Sequence, residues 1–247
     1  MDPRYRRIFV IVLDAMGVGE APDSAAFDDV GADTLGSIAR TYDGSLAVPN
    51  LESLGLGNIR TDDPLPGVPP AEHPRGCYGR MTVTSNGNDS IDGHWEMMGL
   101  PVRFDMGHCP DGFPRWLVDD LEGFSGRRML VNRAYSGTEV IRDHGEQAVE
   151  EGAVILYTSG DSVLQLAAHT GVVPLDELYR LCEHARGLVN GPEVVMGRVI
   201  ARPFVGDDAG SFSRTSERRD YGLAPTGPTD MDRLVEAGYD VLAIGKI

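Results

Sequence analysis

Short continuous apolar runs, each stopped by polar or glycine residues and separated by helix-length amphipathic stretches, constrain this chain more than any other feature. Residues 8–13 are apolar and rich in β-branched side chains, end at Asp14 and are followed by Gly17 and Gly19, which predicts a strand buried on both faces. Residues 78–83, 153–158 and 239–244 also read as strands, as do 194–205, interrupted by Gly197 and closed by Pro203. Helical spacing covers 32–39, where Asp33 or Thr34 can cap, and recurs over 91–98, 114–121, 162–169, 175–188 and 229–237. A Pro- and Gly-rich loop fills the stretch from the first helix to Pro74. Strands alternating with helices predict an α/β fold with a largely parallel sheet. Ligands of such sheets gather at the carboxyl ends of strands, where Asp14 and Lys246 lie.

A chain of 247 residues suffices for one large domain or two modest ones. Its 41% hydrophobic and 24% charged residues are ordinary for a soluble globular protein. No apolar run approaches the roughly 18 to 20 residues of a membrane span. The charged N-terminus leads into an apolar run too brief for a signal-peptide core, so cytoplasmic residence is expected. Cys77, Cys109 and Cys182 are odd in number and widely spaced, which fits neither a disulfide framework nor a metal knuckle. A net charge of -16 repels phosphate backbones and argues against nucleic-acid binding. A small anionic ligand then needs a concentrated arginine pocket.

Several polar residues stand where chemistry is possible, each beside a plainer alternative. Asp14 closes a buried strand as a metal ligand or as a turn cap. Ser90 opens a helix whose N-terminus suits a phosphoryl group, but Asp89-Ser90 also reads as an N-cap. His94, Trp95 and Glu96 follow inside that helix, to contact a ligand or to pack. Ser159 and Asp161, at the end of the 153–158 strand, suit sugar hydroxyls or helix capping equally. Arg198 and Arg202 are four apart on a strand, hence on one face roughly 13 Å apart. With Arg214, Arg218 and Arg219 they form either a phosphate-binding group or a solvated salt-bridge surface.

Longer segments carry a resemblance. IFVIVLDAMGVGEAPD (from Ile8), GADTLGSIA, LGLGNI, GHWEMMGL, DGFP, SGTEVI, YTSGDSVLQLAAH, VVPLDELYRLC, GRVIARPFVG and the terminal YDVLAIGKI follow one another as in the phosphopentomutase family of the alkaline phosphatase superfamily. The resemblance implies an alkaline-phosphatase-like α/β core with an inserted α/β cap domain. The core would occupy residues 1–100 and resume over 221–247, incomplete, with the cap over 101–220. It implies exchange of phosphate between the 1- and 5-positions of ribose or 2-deoxyribose. That exchange runs through a phosphorylated hydroxyl residue and a bisphosphate, which also serves as activator, with two divalent ions, manganese in type. Asp14 then matches a metal-binding aspartate, and Ser90 the phosphorylated residue, also at the metal. Ser159, Asp161, Arg198 and Lys246 match sugar-phosphate contacts, and Arg202 and Arg218 match further arginines of the motifs.

Two departures accompany the match. The family's phosphorylated threonine is Ser90 here, and a loop lysine is Asn88; a serine hydroxyl retains the chemistry. The family also continues beyond the GKI motif with most of its metal ligands, so a separate C-terminal segment is an expected partner. No HxxxH or similar pair among the six histidines replaces those ligands. The competing reading is a catalytically inactive fragment that still binds sugar phosphates.

Overall fold

The computed structural model describes residues 6–13, 16–87, 89–191 and 193–245. The chain divides into two compact units, Met1–Val83 and Thr84–Ile247. Asp14, Asn88 and Lys246 lie outside the described residues.

In the first unit, α1 (Thr34–Thr41) begins where the sequence places it, with Asp33 as N-cap accepting from Gly36 N–H at 3.0 Å. Asp33 also accepts from Gly19 N–H and, at 2.7 Å, from the buried guanidinium of Arg60. Leu35 and Ala39 on α1 pack with Leu65 and Val68 into a small core. Within the expected loop lies a helix, α2 (Pro49–Leu54), entered through proline at its first turn and ended by Gly55 at φ 106°.

The expected strands at 8–13 and 78–83 do not form. Their apolar side chains are exposed, Phe9 by 79%, and no ladder pairs either segment. A run that reads as buried on both faces becomes a strand only when neighbours flank it, and none does among the described residues. The same holds for 239–244 in the second unit, where Leu242 is 87% exposed.

The second unit opens with α3 (Ser90–Met97), α4 (Arg115–Ser125), β1 (Met129–Ala134), α5 (Glu139–Glu151) and β2 (Val154–Thr158). It continues with β3 (Val163–His169), α6 (Leu175–Leu188), β4 (Arg198–Val205), β5 (Ser213–Arg214), β6 (Arg219–Gly222) and α7 (Asp230–Glu236). The sheet order is β1-β2-β3-β4-β5, with β6 on β4. The ladders β1–β2 and β3–β4 are parallel and hold most of the paired residues; β2–β3, β4–β5 and β4–β6 are antiparallel. The α/β class thus stands, with antiparallel pairs among parallel ones.

One expected element changes type. Residues 162–169 read as a helix, yet β3 runs through Val163–His169, buried along all but its last residue. An apolar run of this length fits either state by pattern alone, and pairing on both sides decides for the strand. β4 continues past Pro203, whose place in the ladder needs no N–H from it on the β3 side, to Val205. On one sheet face Leu117 and Leu121 of α4 and Leu178 and Leu181 of α6 pack over Leu156, Leu164 and Val199. On the other, Val140, Ile141 and Ala148 of α5 cover Ile155, Tyr157, Ala167 and Phe204. No helix among the described residues is long and apolar enough to cross a membrane.

Candidate functional site

Three chain segments of the second unit meet at the start of β4. The parallel register Val163↔Arg198 sets the turn before β3, with Asp161, beside Arg198. Gly197 lets α3 approach: a Cβ there would lie 3.5 Å from Ile91 and 2.9 Å from the Met106 sulfur. Ser162 closes the turn, its hydroxyl donating to Gly107 C=O at 2.8 Å and accepting from Gly197 N–H at 3.1 Å.

Arg198 is thereby held between two carboxylates, its Nη2 3.4 Å from Asp89 Oδ2 and 3.5 Å from Asp161 Oδ2. Both contacts are long, and the buried Nε has no partner among the described residues. A guanidinium so loosely engaged keeps donors for an incoming anion. The capping alternative for Ser159 and Asp161 falls, because the chain beyond them enters a strand rather than a helix. Ser159 sits half-buried at the end of β2.

Asp89, not Ser90, caps α3. Its side chain accepts from Ile91 N–H at 2.9 Å, while Asp92 accepts from Asp89 N–H at 3.2 Å, completing a capping box. Ser90 is the first helical residue, and among the described residues its hydroxyl has one hydrogen-bonding neighbour, His94 Nδ1 at 3.5 Å. That nitrogen lies 2.5 Å from Ser90 C=O, an acceptor only, so it carries the proton and cannot serve Ser90 as a base. The Ser90 hydroxyl is therefore free of structural duty.

Beside it Asp92 is almost wholly buried, with Oδ1 unpaired among the described residues. Burial pushes its carboxyl above the ordinary range, and the Asp89 and Glu96 charges add to this, while the Asp89 N–H acts against it. Gly87 makes room for it: a Cβ there would lie 2.2 Å from Asp92 Oδ2. The D-S-x-D capping pattern makes Asp89 and Asp92 legible as a helix start, but nothing in it shows that Asp89 reaches Arg198.

Trp95 and Glu96 are structural. Trp95 packs with Val102 and Met106. Glu96 accepts from the N–H and hydroxyl groups of Thr84 and Ser85, the shortest bond being 2.6 Å from Ser85 Oγ. Those bonds, that of the Ser85 hydroxyl foremost, hold its pKa down to about 2. The folded value lies below the usual 4.5, so the stabilisation is full above about pH 4.5 and is lost as pH falls through about 2. Because Glu96 is partly exposed, solvent screens the contribution to about 1 to 2 kcal/mol. Glu96→Gln is expected to lose that amount at pH 7, with the gap to wild type narrowing as urea melts are taken from pH 5 towards pH 3.

Arg202 and Arg218 do not join Arg198. With Arg214, Pro203 and Thr215 they line a separate open cleft of about 200 Å³ farther along β4. Among the described residues no three His, Cys, Asp or Glu side chains converge as metal ligands. These residues therefore do not by themselves make a metal centre, and Asp14, expected at one, is outside them.

Fold and site together describe an α/β protein that presents a serine hydroxyl and an arginine at one helix N-terminus. No family model matches the sequence. Among curated proteins, the chain is 58% identical to the phosphopentomutase of Limosilactobacillus reuteri (strain DSM 20016). It is 54% identical to that of Levilactobacillus brevis (strain ATCC 367). Each match covers 243 residues, 98% of this chain and 61% of the relative. The chain is thus similar to phosphopentomutases along nearly its whole length, and it spans about three fifths of the length of these relatives.

Proposed function

We propose that the chain carries the phosphoryl-accepting serine and part of the sugar-phosphate site of a phosphopentomutase. That enzyme is an isomerase interconverting ribose 1-phosphate and ribose 5-phosphate, and the 2-deoxyribose phosphates. The observation that supports this most is Arg198, braced between Asp89 and Asp161 beside a Ser90 hydroxyl with no structural duty. In this reading phosphorylated Ser90 gives its phosphoryl group to the free O1 or O5 of a bound monophosphate. The bond to Ser90 Oγ breaks, a ribose 1,5-bisphosphate forms, and the other phosphoryl group returns to Ser90 Oγ. A sugar bisphosphate loads Ser90 at the outset.

Arg198 binds the sugar phosphate, Ser159 and Asp161 receive its hydroxyls and Lys246 is a further contact, while Arg202 and Arg218 lie in the separate cleft. The reading assigns residues 1–100 and 221–247 to the catalytic core and 101–220 to the cap. Two divalent ions, manganese in type, belong to it with Asp14 and Ser90 as ligands, but the described residues do not assemble a metal centre, so no step is routed through them. The remaining two fifths of the relatives' length, as a separate segment, is the partner that completes the site.

The test is conversion of ribose 1-phosphate to ribose 5-phosphate with manganese, by the 247-residue chain with and without that segment added in trans. The chain alone is expected to stay far below about 1 turnover per second, and the mixture to reach that range. Turnover by the chain alone at such a rate contradicts the expectation. No turnover from the mixture, with both parts shown to be folded, removes the mutase reading.

A further inference from the structure

We propose that the cleft between β4 and β5 is a second anion site, lined by Arg202, Arg214 and Arg218 with the buried Tyr157 hydroxyl behind them, that takes a phosphate-type dianion. It is distinct from the Ser90–Arg198 site.

In a chain of net charge -16, three guanidinium groups line one cleft of about 200 Å³. Arg218 is matched by Asp220, at 2.6 and 2.7 Å. Arg202 and Arg214 have no carboxylate within ion-pair distance among the described residues, and Arg214 Nη2 donates only to Thr138 Oγ1, at 3.0 Å. A solvated salt-bridge surface would pair these charges. This cleft leaves two of its three arginines unmatched; Arg214 is exposed, but Arg202 is half-buried, and a half-buried cation without a counter-ion is a costly arrangement unless an anion completes it.

Tyr157 is fully buried, yet its Oη has no partner among the described residues. Among the described residues its cross-strand neighbour Gln165 leaves Oε1 unpaired, and Arg202 leaves Nε unpaired. Buried hydroxyls and guanidinium nitrogens are nearly always satisfied, so three such atoms on neighbouring positions of one sheet face point to a missing group. The Gln165 amide, turned over, offers its N–H groups instead.

A Cβ on Gly137 would lie 2.9 Å from Tyr157 Oη and 3.7 Å from Arg214 Nη1, so the phenol and this guanidinium meet over the same turn. Burial pushes the Tyr157 phenol above its ordinary value, and Arg202, Arg214 and Arg218 all act on it in the opposite sense. Arg202 is pushed down by burial first and by the two other arginines after it. Forked donors from several sides with one hydroxyl donor suit a tetrahedral oxyanion carrying two charges.

Such a phosphoryl group can be free phosphate or the distal phosphate of a sugar bisphosphate; only the second choice rests on the mutase reading. Inorganic phosphate titrated calorimetrically into the 247-residue chain is the first probe. Arg202→Gln is expected to weaken its binding by about 10- to 100-fold. Tyr157→Phe is expected to weaken it several-fold while melting no lower than wild type without phosphate, since it removes an oxygen that has no partner. If Arg202→Gln does not fold, Tyr157→Phe decides. Phosphate affinity unchanged in the variants that fold overturns the proposal, as does affinity lost only in Arg198→Ala. Ribose 5-phosphate and ribose 1,5-bisphosphate then separate the sources. A bisphosphate advantage of about tenfold that disappears in Tyr157→Phe assigns the distal phosphate, and its absence assigns free phosphate. Failure of the mutase reading leaves the inorganic phosphate result intact.

Discussion

Ser90→Ala, in the chain supplemented with the relatives' remaining segment, is expected to abolish phosphate uptake onto the protein and to lower turnover by at least about a thousandfold. The size follows from the proposed role, because without Oγ there is nothing to carry the phosphoryl group between two positions of one sugar. The structure removes the main competing account of this residue. An N-cap serine replaced by alanine costs about 1 kcal/mol of stability, but the cap here is Asp89, and its bonds survive the change. His94 Nδ1 is committed to the Ser90 carbonyl, so the hydroxyl leaves no stranded partner when it goes. Ser90→Ala should therefore melt within about 0.5 kcal/mol of wild type while losing function. Intact-mass measurement after incubation with a ribose bisphosphate reads the phosphate directly. Ser90→Thr, which restores a hydroxyl, should take it up again. Phosphate still incorporated in Ser90→Ala assigns the acceptor elsewhere.

How far the sequence revealed all this depends on where neighbours, rather than pattern, decide structure. α6 has its apolar positions at Leu178, Leu181, Cys182 and Ala185 and is legible over its whole length. α5 is not, because its buried face includes Gly145 and Ala148, too small to stand out. Gly145 is required there, since a Cβ would lie 2.6 Å from the Phe212 ring. β1 is hidden for another reason: Val131 and Asn132 have φ of 78° and 46°, which breaks the alternation. The Asn132 side chain turns instead to Phe113, accepting from its N–H at 2.8 Å and donating to its C=O at 3.0 Å. Conversely, residues 8–13 carry the strongest strand signal of the chain and lie exposed, since a strand pattern states what a segment can do when flanked.

The site divides in the same way. Arg198 and Asp161 are legible in the GRVIARPF and YTSGDS motifs, but their meeting depends on the β3–β4 register, which the helix-compatible pattern of residues 162–169 hides. Arg202 and Arg198 share a strand face as periodicity requires, yet they serve different surroundings because a strand carries residues four apart too far for one small ligand. The unpaired Tyr157 hydroxyl has no signal in the sequence at all, since a tyrosine in a buried strand reads as core.

Arg198→Ala is expected to weaken ribose 5-phosphate binding by about 10- to 150-fold, the equivalent of roughly 1.5 to 3 kcal/mol for a charge-assisted arginine contact. Its side chain is 18% exposed, so the contact forms with much of the screening water already excluded. The donors are in place: Nε is buried and unpaired, and the bonds to Asp89 and Asp161 are long enough for an anion to displace or share them. Those carboxylates also fix the direction of a second effect. Without Arg198 the nearly buried Asp89 loses its only cation among the described residues, and stability should fall by about 1 kcal/mol whatever the ligand does. Stability and affinity must therefore be measured separately. If Arg198 only serves the two aspartates, the variant melts lower and titrates with ribose 5-phosphate as wild type does. If it holds the sugar phosphate, affinity falls in the titration even at temperatures where both proteins are fully folded. Lysine keeps the charge without the fork, so Arg198→Lys should recover part of the affinity. Calorimetric titration of ribose 5-phosphate into the chain supplemented with the relatives' remaining segment distinguishes these outcomes, and equal affinities for wild type and Arg198→Ala exclude Arg198 as a phosphate ligand.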